Sequence, residues 1–418
     1  MDRSTGWWTE SGCREFCHSK HTCRSTVSTG PNSVGEAMAR RWRADLLVAV
    51  SILACVQFVI VVDETTVGLV APVIARDLSL GSSARHVLIT PFACAFVCGL
   101  PVAGLLLRRV APVRTLAPTV VSFAVSAVVG GCAVTTAQLV VTRAAQGFSA
   151  AMVTTGVLAA LHTATRADPR RMRAFAGFSL LSGSGALAAL LVVGPIADVS
   201  WRWCFWGIGA AAAVSALWWK LHARARSAQP GGVGNVVPWE GIDPTTTAAM
   251  GAVVATNALL TAAVITASFT LQADRGWSAA MTGVGLLPLN AAAAIGTLMV
   301  ARSSDRAGGA VPAIGATALA IGGAAITWWA GVLGSTQWLL LATIPLGLGV
   351  GVVFPLMNSR SMDTAGALSM GRAAQLGAAA QVGVAVGALV ASAHWSFGPA
   401  GLASIAAVAV IVDGVLRL

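Results

Sequence analysis

Apolar and polar positions fall in long blocks along the chain, neither alternating as in a strand nor recurring as one stripe of a soluble amphipathic helix. Reading mostly apolar runs of about 18–25 residues, the length that crosses a hydrocarbon core, predicts helices near 46–71, 87–107, 113–134, 138–161, 174–197 and 203–220. A polar stretch, 221–246, holds Arg224, Arg226, Pro230, Gly231, Gly232 and Pro238 and interrupts the series. Six further runs follow near 247–271, 279–300, 310–332, 336–357, 373–392 and 397–416. The pattern predicts an all-α integral membrane protein of about twelve helices in two six-helix bundles. The expected parts are a polar, disordered tail over 1–44, a first bundle over 45–220, a linker over 221–246 and a second bundle over 247–418.

Composition agrees with burial in lipid: 56% of the 418 residues are hydrophobic and only 10% are charged. The 45 glycines let helix backbones approach closely, which is how helices pack where lipid removes the hydrophobic drive between them. The net charge of +11 does not indicate nucleic acid, because the basic residues are scattered in short loops without a basic stripe or interleaved aromatics. They report orientation instead. With both termini inside, 22 basic residues lie on the inner side and four, Arg76, Arg85, Arg202 and Arg275, on the outer side, as the positive-inside rule requires. The near-absence of lysine (Lys20 and Lys220 against 25 arginines) points to a GC-rich bacterial source and so to a multi-pass protein of a bacterial plasma membrane. No cleavable leader is expected, since the first apolar run is long enough to span; Met38 is a natural alternative start.

Ionisable residues inside lipid cost about 2.5–3.5 kcal/mol on insertion scales, so each is a functional candidate. Asp63 and Glu64 lie in the first span, within FVIVVDETTVGLVAP, and Arg143 lies in the fourth, within LVVTRAAQGFSAAM. Asp63 and Arg143 come at comparable depths. If the two helices are neighbours, the carboxylate can exchange a proton while the guanidinium keeps its charge. The competing reading is a structural ion pair, with Glu64 snorkelling toward the surface. Asn257, Thr261, Gln272, Asn290 and Gln381 are uncharged polar candidates for a cavity or for interhelical hydrogen bonds. Pro101, Pro288, Pro345 and Pro355 could break or kink their spans. The cluster Cys13, Cys17, His18, His21 and Cys23 lacks the spacing of a zinc finger, so no metal and no cofactor is expected, and no soluble catalytic signature is present. Cys55, Cys94, Cys98, Cys132 and Cys204 read as small apolar residues.

These residues resemble the drug:proton antiporter branch of the major facilitator superfamily. The first span is similar to that branch's D-x-T-x-V-x-x-x-x-P pattern through Asp63, Thr65, Val67 and Pro72, with Gly68 where Asn is usual. The fourth is similar to R-x-x-Q-G-x-x-x-A through Arg143, Gln146, Gly147 and Ala151, and SWRWCF, from Ser200 to Phe205, is similar to the opening of the branch's sixth helix. The inner-gate motif between helices two and three keeps Gly104, Leu106 and Arg109 but has Arg108 in place of its Asp. Its second-half counterpart keeps Asp305, Arg306 and Gly308. The helix-five antiporter motif keeps Gly185 and Gly194 and loses its middle residues to Ala189, Leu190 and Val193. The resemblance implies a twelve-helix monomer that binds a small molecule near the midplane, exports it in exchange for protons, and uses Asp63 and Arg143 for coupling. Uptake or facilitated transport of a metabolite, or a non-transporting scaffold or sensor, are the alternatives. Neither a nucleic-acid partner nor an enzymatic activity is implied.

Overall fold

The computed structural model describes residues 31–80, 87–165, 171–224, 244–303, 310–328, 335–362 and 369–392. The chain divides into a unit at Met1–Asp45 and a compact unit at Leu46–Leu418. Eleven of the twelve predicted spans carry a helix: α1 (Pro31–Asp77), α2 (Thr90–Arg109), α3 (Pro112–Gly131), α4 (Thr136–Thr165), α5 (Arg171–Val199), α6 (Trp201–Arg224), α7 (Pro244–Phe269), α8 (Ala279–Gly285 with Leu287–Ser303), α9 (Ala310–Trp328), α10 (Thr336–Met362) and α11 (Ser369–Ser392). The predicted twelfth span, 397–416, the basic and cysteine-rich start, and the motif residues Asp305, Arg306 and Gly308 lie outside the described residues.

The helices outrun several of the apolar runs. The first run ends near residue 71, yet α1 continues through Pro72 to Asp77, and residues 31–44, read as polar tail, are helical. The two segments of α8 meet at Leu286. Pro288 falls in the first turn of the second segment, where its missing N–H removes no intrahelical bond. Pro101, Pro345 and Pro355 sit inside continuous helices. Ten of the helices are long and apolar enough to cross a membrane, and α9 contributes a shorter apolar stretch, Thr317–Ile326. Val121, Val125 and Val128 form an exposed apolar row on α3, and Leu180, Leu191, Val192, Trp203, Val214 and Leu217 are exposed on α5 and α6. Such faces suit hydrocarbon and would be a liability in water.

Packing follows one scheme in both halves. α2 packs on α4 and α3 on α4 in the first; α8 packs on α10 and α9 on α10 in the second. Small residues set these distances. A Cβ on Gly147 would collide with the backbone of Phe92 on α2, and a Cβ on Gly347, 200 residues later, would collide with the backbone of Leu289 on α8. Gly351, at the position matching Ala151, lies just as close to Ala293. Gly147 and Gly347 thus mark the same kind of backbone approach in corresponding helix pairs of the two halves. The halves meet where α5 packs on α8 and α2 on α11.

Candidate functional site

One turn of α4 puts Arg143 and Gln146 on the same face, three residues apart. That face meets α1. Arg143 Nη1 donates to Asp63 Oδ2 at 2.9 Å and to Gln146 Oε1 at 2.8 Å, while Gln146 Nε2 donates to Asp63 Oδ1 at 2.8 Å. The three side chains close a ring in which both carboxylate oxygens have a donor. Asp63 and Gln146 are wholly buried, and Arg143 is 2% exposed. The guanidinium is held from its other side as well: Nε donates to the Leu88 carbonyl at 3.3 Å, and its Cζ stands 4.5 Å from the centre of the Phe92 ring.

Gly147 makes this second hold possible. Having no Cβ, it lets α2 come against α4 at Phe92, and so brings the ring and the preceding Leu88 carbonyl onto Arg143. Removing two charges from water costs several kcal/mol per ion, and a buried pair survives only if its remaining hydrogen-bonding capacity is met. Gln146, Leu88 and Phe92 meet it here. Chemically the ring is a charge-neutral lock between α1 and α4 that a proton on Asp63 would weaken, because a neutral carboxyl loses the ionic part of the bond while arginine stays charged.

The other motif residues have structural places. Thr65 bonds back to the Val61 carbonyl at 2.9 Å, and Pro72 is buried within α1. Gly185 lies against the Phe58 carbonyl of α1, its Cβ position 2.8 Å away. Gly194 lies against Ala280 of α8 with 2.7 Å between its Cβ position and that Cα. Gly104 is buried on α2, and Arg109 is exposed at its inner end. The SWRWCF segment ties α6 to the outer end of α1: Trp201 Nε1 and Arg202 Nη1 donate to Asp77 Oδ2 at 2.9 and 2.8 Å.

Of the five uncharged candidates, two reach across the halves. Gln272 lies in a π-helical turn, Thr270–Asp274, that ends α7 at the outer side, and donates to the Leu69 carbonyl of α1 at 2.8 Å. Gln381 on α11 donates to Glu64 Oε1 on α1 at 2.8 Å. Asn257 bonds its own helix at the Val253 carbonyl. Sequence reasoning missed Asp198, which closes the outer side: its two carboxylate oxygens accept from the backbone N–H groups of Ala279 and Ala280, 2.7 and 3.1 Å away, in the first turn of α8. Among the described residues no group of three His, Cys, Asp or Glu could hold a metal ion.

The family model of the Major Facilitator Superfamily matches residues 53–392, from within α1 to the end of α11. The chain belongs to that superfamily. Its family and its apolar helices are those of multi-pass membrane transporters rather than of enzymes. This major facilitator is 31% identical over 188 residues to the puromycin resistance protein pur8 of Streptomyces alboniger, covering 45% of this chain and 36% of that one. It is 30% identical over 159 residues to the uncharacterized MFS-type transporter EfpA of Mycobacterium tuberculosis, covering 38% and 30%. The matches thus span about a third of these relatives' own length. In fold it is similar to a bacterial homologue of the human lysosomal transporter Spinster, in an inward-facing and unoccupied conformation (TM-score 0.67, 16% identity, 90% of this chain and 96% of that one). It is also similar to a point mutant of the nucleoside transporter NupG (TM-score 0.65, 12% identity, 89% and 98%).

Proposed function

We propose that this transporter exports a small lipophilic or amphipathic compound in exchange for protons, acting as a monomer in a bacterial plasma membrane, with Asp63 as the proton carrier and Arg143 as the group that senses it. The observation that carries the reading is the closed, buried ring of Asp63, Arg143 and Gln146. In the unprotonated state the ring fastens α1 to α4. A proton on Asp63 releases the ionic hold, and Arg143 keeps Gln146 Oε1 and the Leu88 carbonyl as partners. Breaking one partner of a buried pair is worth about 3–5 kcal/mol. That shifts a two-state equilibrium by a factor of about 10²–10⁴, whose upper end reaches the ~10⁴ that exchanges a 1:99 for a 99:1 population. Similarity to a protein named for puromycin resistance supports the outward direction and a lipophilic substrate class.

The test is efflux of a panel of lipophilic drugs and dyes from cells expressing the chain, with and without a protonophore. Export that collapses with the gradient, and is lost in Asp63→Asn while membrane insertion stays normal, is the expected result. Export that persists under the protonophore, or in correctly inserted Asp63→Asn, would remove Asp63 from coupling.

A further inference from the structure

We infer that Glu64, together with the amide of Gln381, forms a recognition subsite for a protonated amine on the transported compound; this rests on the export reading above and names its substrate class. Glu64 follows Asp63 directly, yet the 100° turn between successive helical residues sends the two side chains to different surroundings. Asp63 is sealed against α4, whereas Glu64 is exposed and reaches α11 in the other half. It lies 18 residues from Leu46 and 13 from Asp77 in the span between them, roughly 27 and 20 Å along the axis. No glutamate side chain covers such a distance, so snorkelling does not account for it.

The local charge is unbalanced. Arg143, the basic residue of these central spans, is already bound by Asp63 and Gln146, and among the described residues no ion pair holds Glu64. Its partner is the Gln381 amide, which spends an N–H on it and leaves its own Oε1 buried without a partner. Gln381 is itself only 7% exposed. Two helical turns toward the inner end of α1, on the face that carries Glu64, Gln57 also has a buried Oε1 without a partner.

Glu64 and Gln381 therefore present one carboxylate and one neutral acceptor, with the Gln57 amide oxygen about 10 Å further along α1, and what they lack is a donor. Buried polar groups without partners are rare and cost free energy until they are met. An anion would be repelled by Glu64. Magnesium or calcium would need about six oxygen ligands in a compact shell, which one carboxylate and separate amides do not supply. An ammonium group carries the complementary charge and several N–H donors, and an attached apolar body suits the surrounding aliphatic helices. Because α1 and α11 belong to different halves, a compound bound here touches both and senses their relative movement.

The probe pair is a dansyl-alkylamine with a free terminal ammonium and the same molecule N-acetylated to neutrality, titrated by fluorescence into the purified full chain in detergent without a proton gradient. The wild type is expected to bind the ammonium probe at least ~10-fold more tightly than the acetylated one, the scale of a hydrogen bond to a charged group. Glu64→Gln should abolish that preference; Gln381→Leu should reduce it severalfold; Asp63→Asn should retain it. Equal affinity of the wild type for the two probes, or binding of neither, overturns the proposal without reliance on any variant. So does a preserved preference in a monodisperse Glu64→Gln protein. Failure of proton-driven export with charge-selective binding intact would sink the export reading and leave the subsite standing.

Discussion

Replacing Gly147 with alanine places one methyl group where the Phe92 backbone already is. The new Cβ would stand 2.7 Å from the Phe92 carbonyl carbon and 2.8 Å from its Cα, with the carbonyl oxygen closer still. A flexible side chain could swing away, but this obstacle is main chain, so α2 must move off α4. Overpacking of this kind costs about 1–3 kcal/mol, offset by the roughly 0.5–1 kcal/mol that alanine gains over glycine in a helix. Gly183 on α5 is an internal control, since a Cβ there meets nothing within 4 Å and only the gain should remain. The assay is apparent Tm from intrinsic tryptophan fluorescence of the purified variants in one detergent at a fixed heating rate. At no more than about 2–4 °C per kcal/mol, the figure for domains of about 150–250 residues, Gly147→Ala should still fall a few degrees below Gly183→Ala. Transport should fall with it, because moving α2 withdraws Phe92 and Leu88 from Arg143. Equal Tm values for the two variants would refute the claim that backbone contact at Gly147 sets the α2–α4 distance.

Three further expectations follow from the same geometry. Asp198→Ala removes two hydrogen bonds to the first turn of α8, worth about 0.5–2 kcal/mol on the scale of helix N-caps. Spin labels at the exposed positions 199 and 281 should then report a larger outer-open fraction by about 2- to 30-fold, and an unchanged distance distribution would deny Asp198 a role in outer closure. Arg143→Lys keeps the charge but cannot bond Asp63, Gln146 and the Leu88 carbonyl together, so transport should be lost with insertion intact; wild-type efflux would show that charge alone suffices. Asp77→Asn breaks a pair whose side chains are 44% and 29% exposed, so apparent Tm should shift by no more than the ~1 kcal/mol typical of exposed pairs, and a larger drop would reveal a hidden structural role.

Hydropathy located the spans because a membrane helix must satisfy its own backbone and present apolar side chains to lipid, and both demands are local in the chain. That is why α2 to α7 fall where apolar runs predict, and why Asp63 and Arg143 stood out as expensive residues at similar depth. Helix ends were less legible: α1 runs on to Asp77 because there its last turn is held by Trp201 and Arg202 of α6, a contact 124 residues away. Gln146 was legible through the motif it shares with Arg143, and the three-residue spacing, which a helix turns into a shared face, is what brings it into the ring.

What the sequence by itself determined is an all-α membrane protein with two sets of spans, and a few charged side chains too costly to be idle. Tertiary structure decided which of those charges are paired. It sealed Asp63 against α4 and left its neighbour Glu64 facing Gln381 of α11, 317 residues away, and it used Asp198 to cap a helix in the opposite half. The physical reason is that hydropathy is a sum over neighbours in the chain, whereas a hydrogen bond across the halves depends on the rotation and depth of two helices. Those are fixed by where a glycine lets one backbone rest against another.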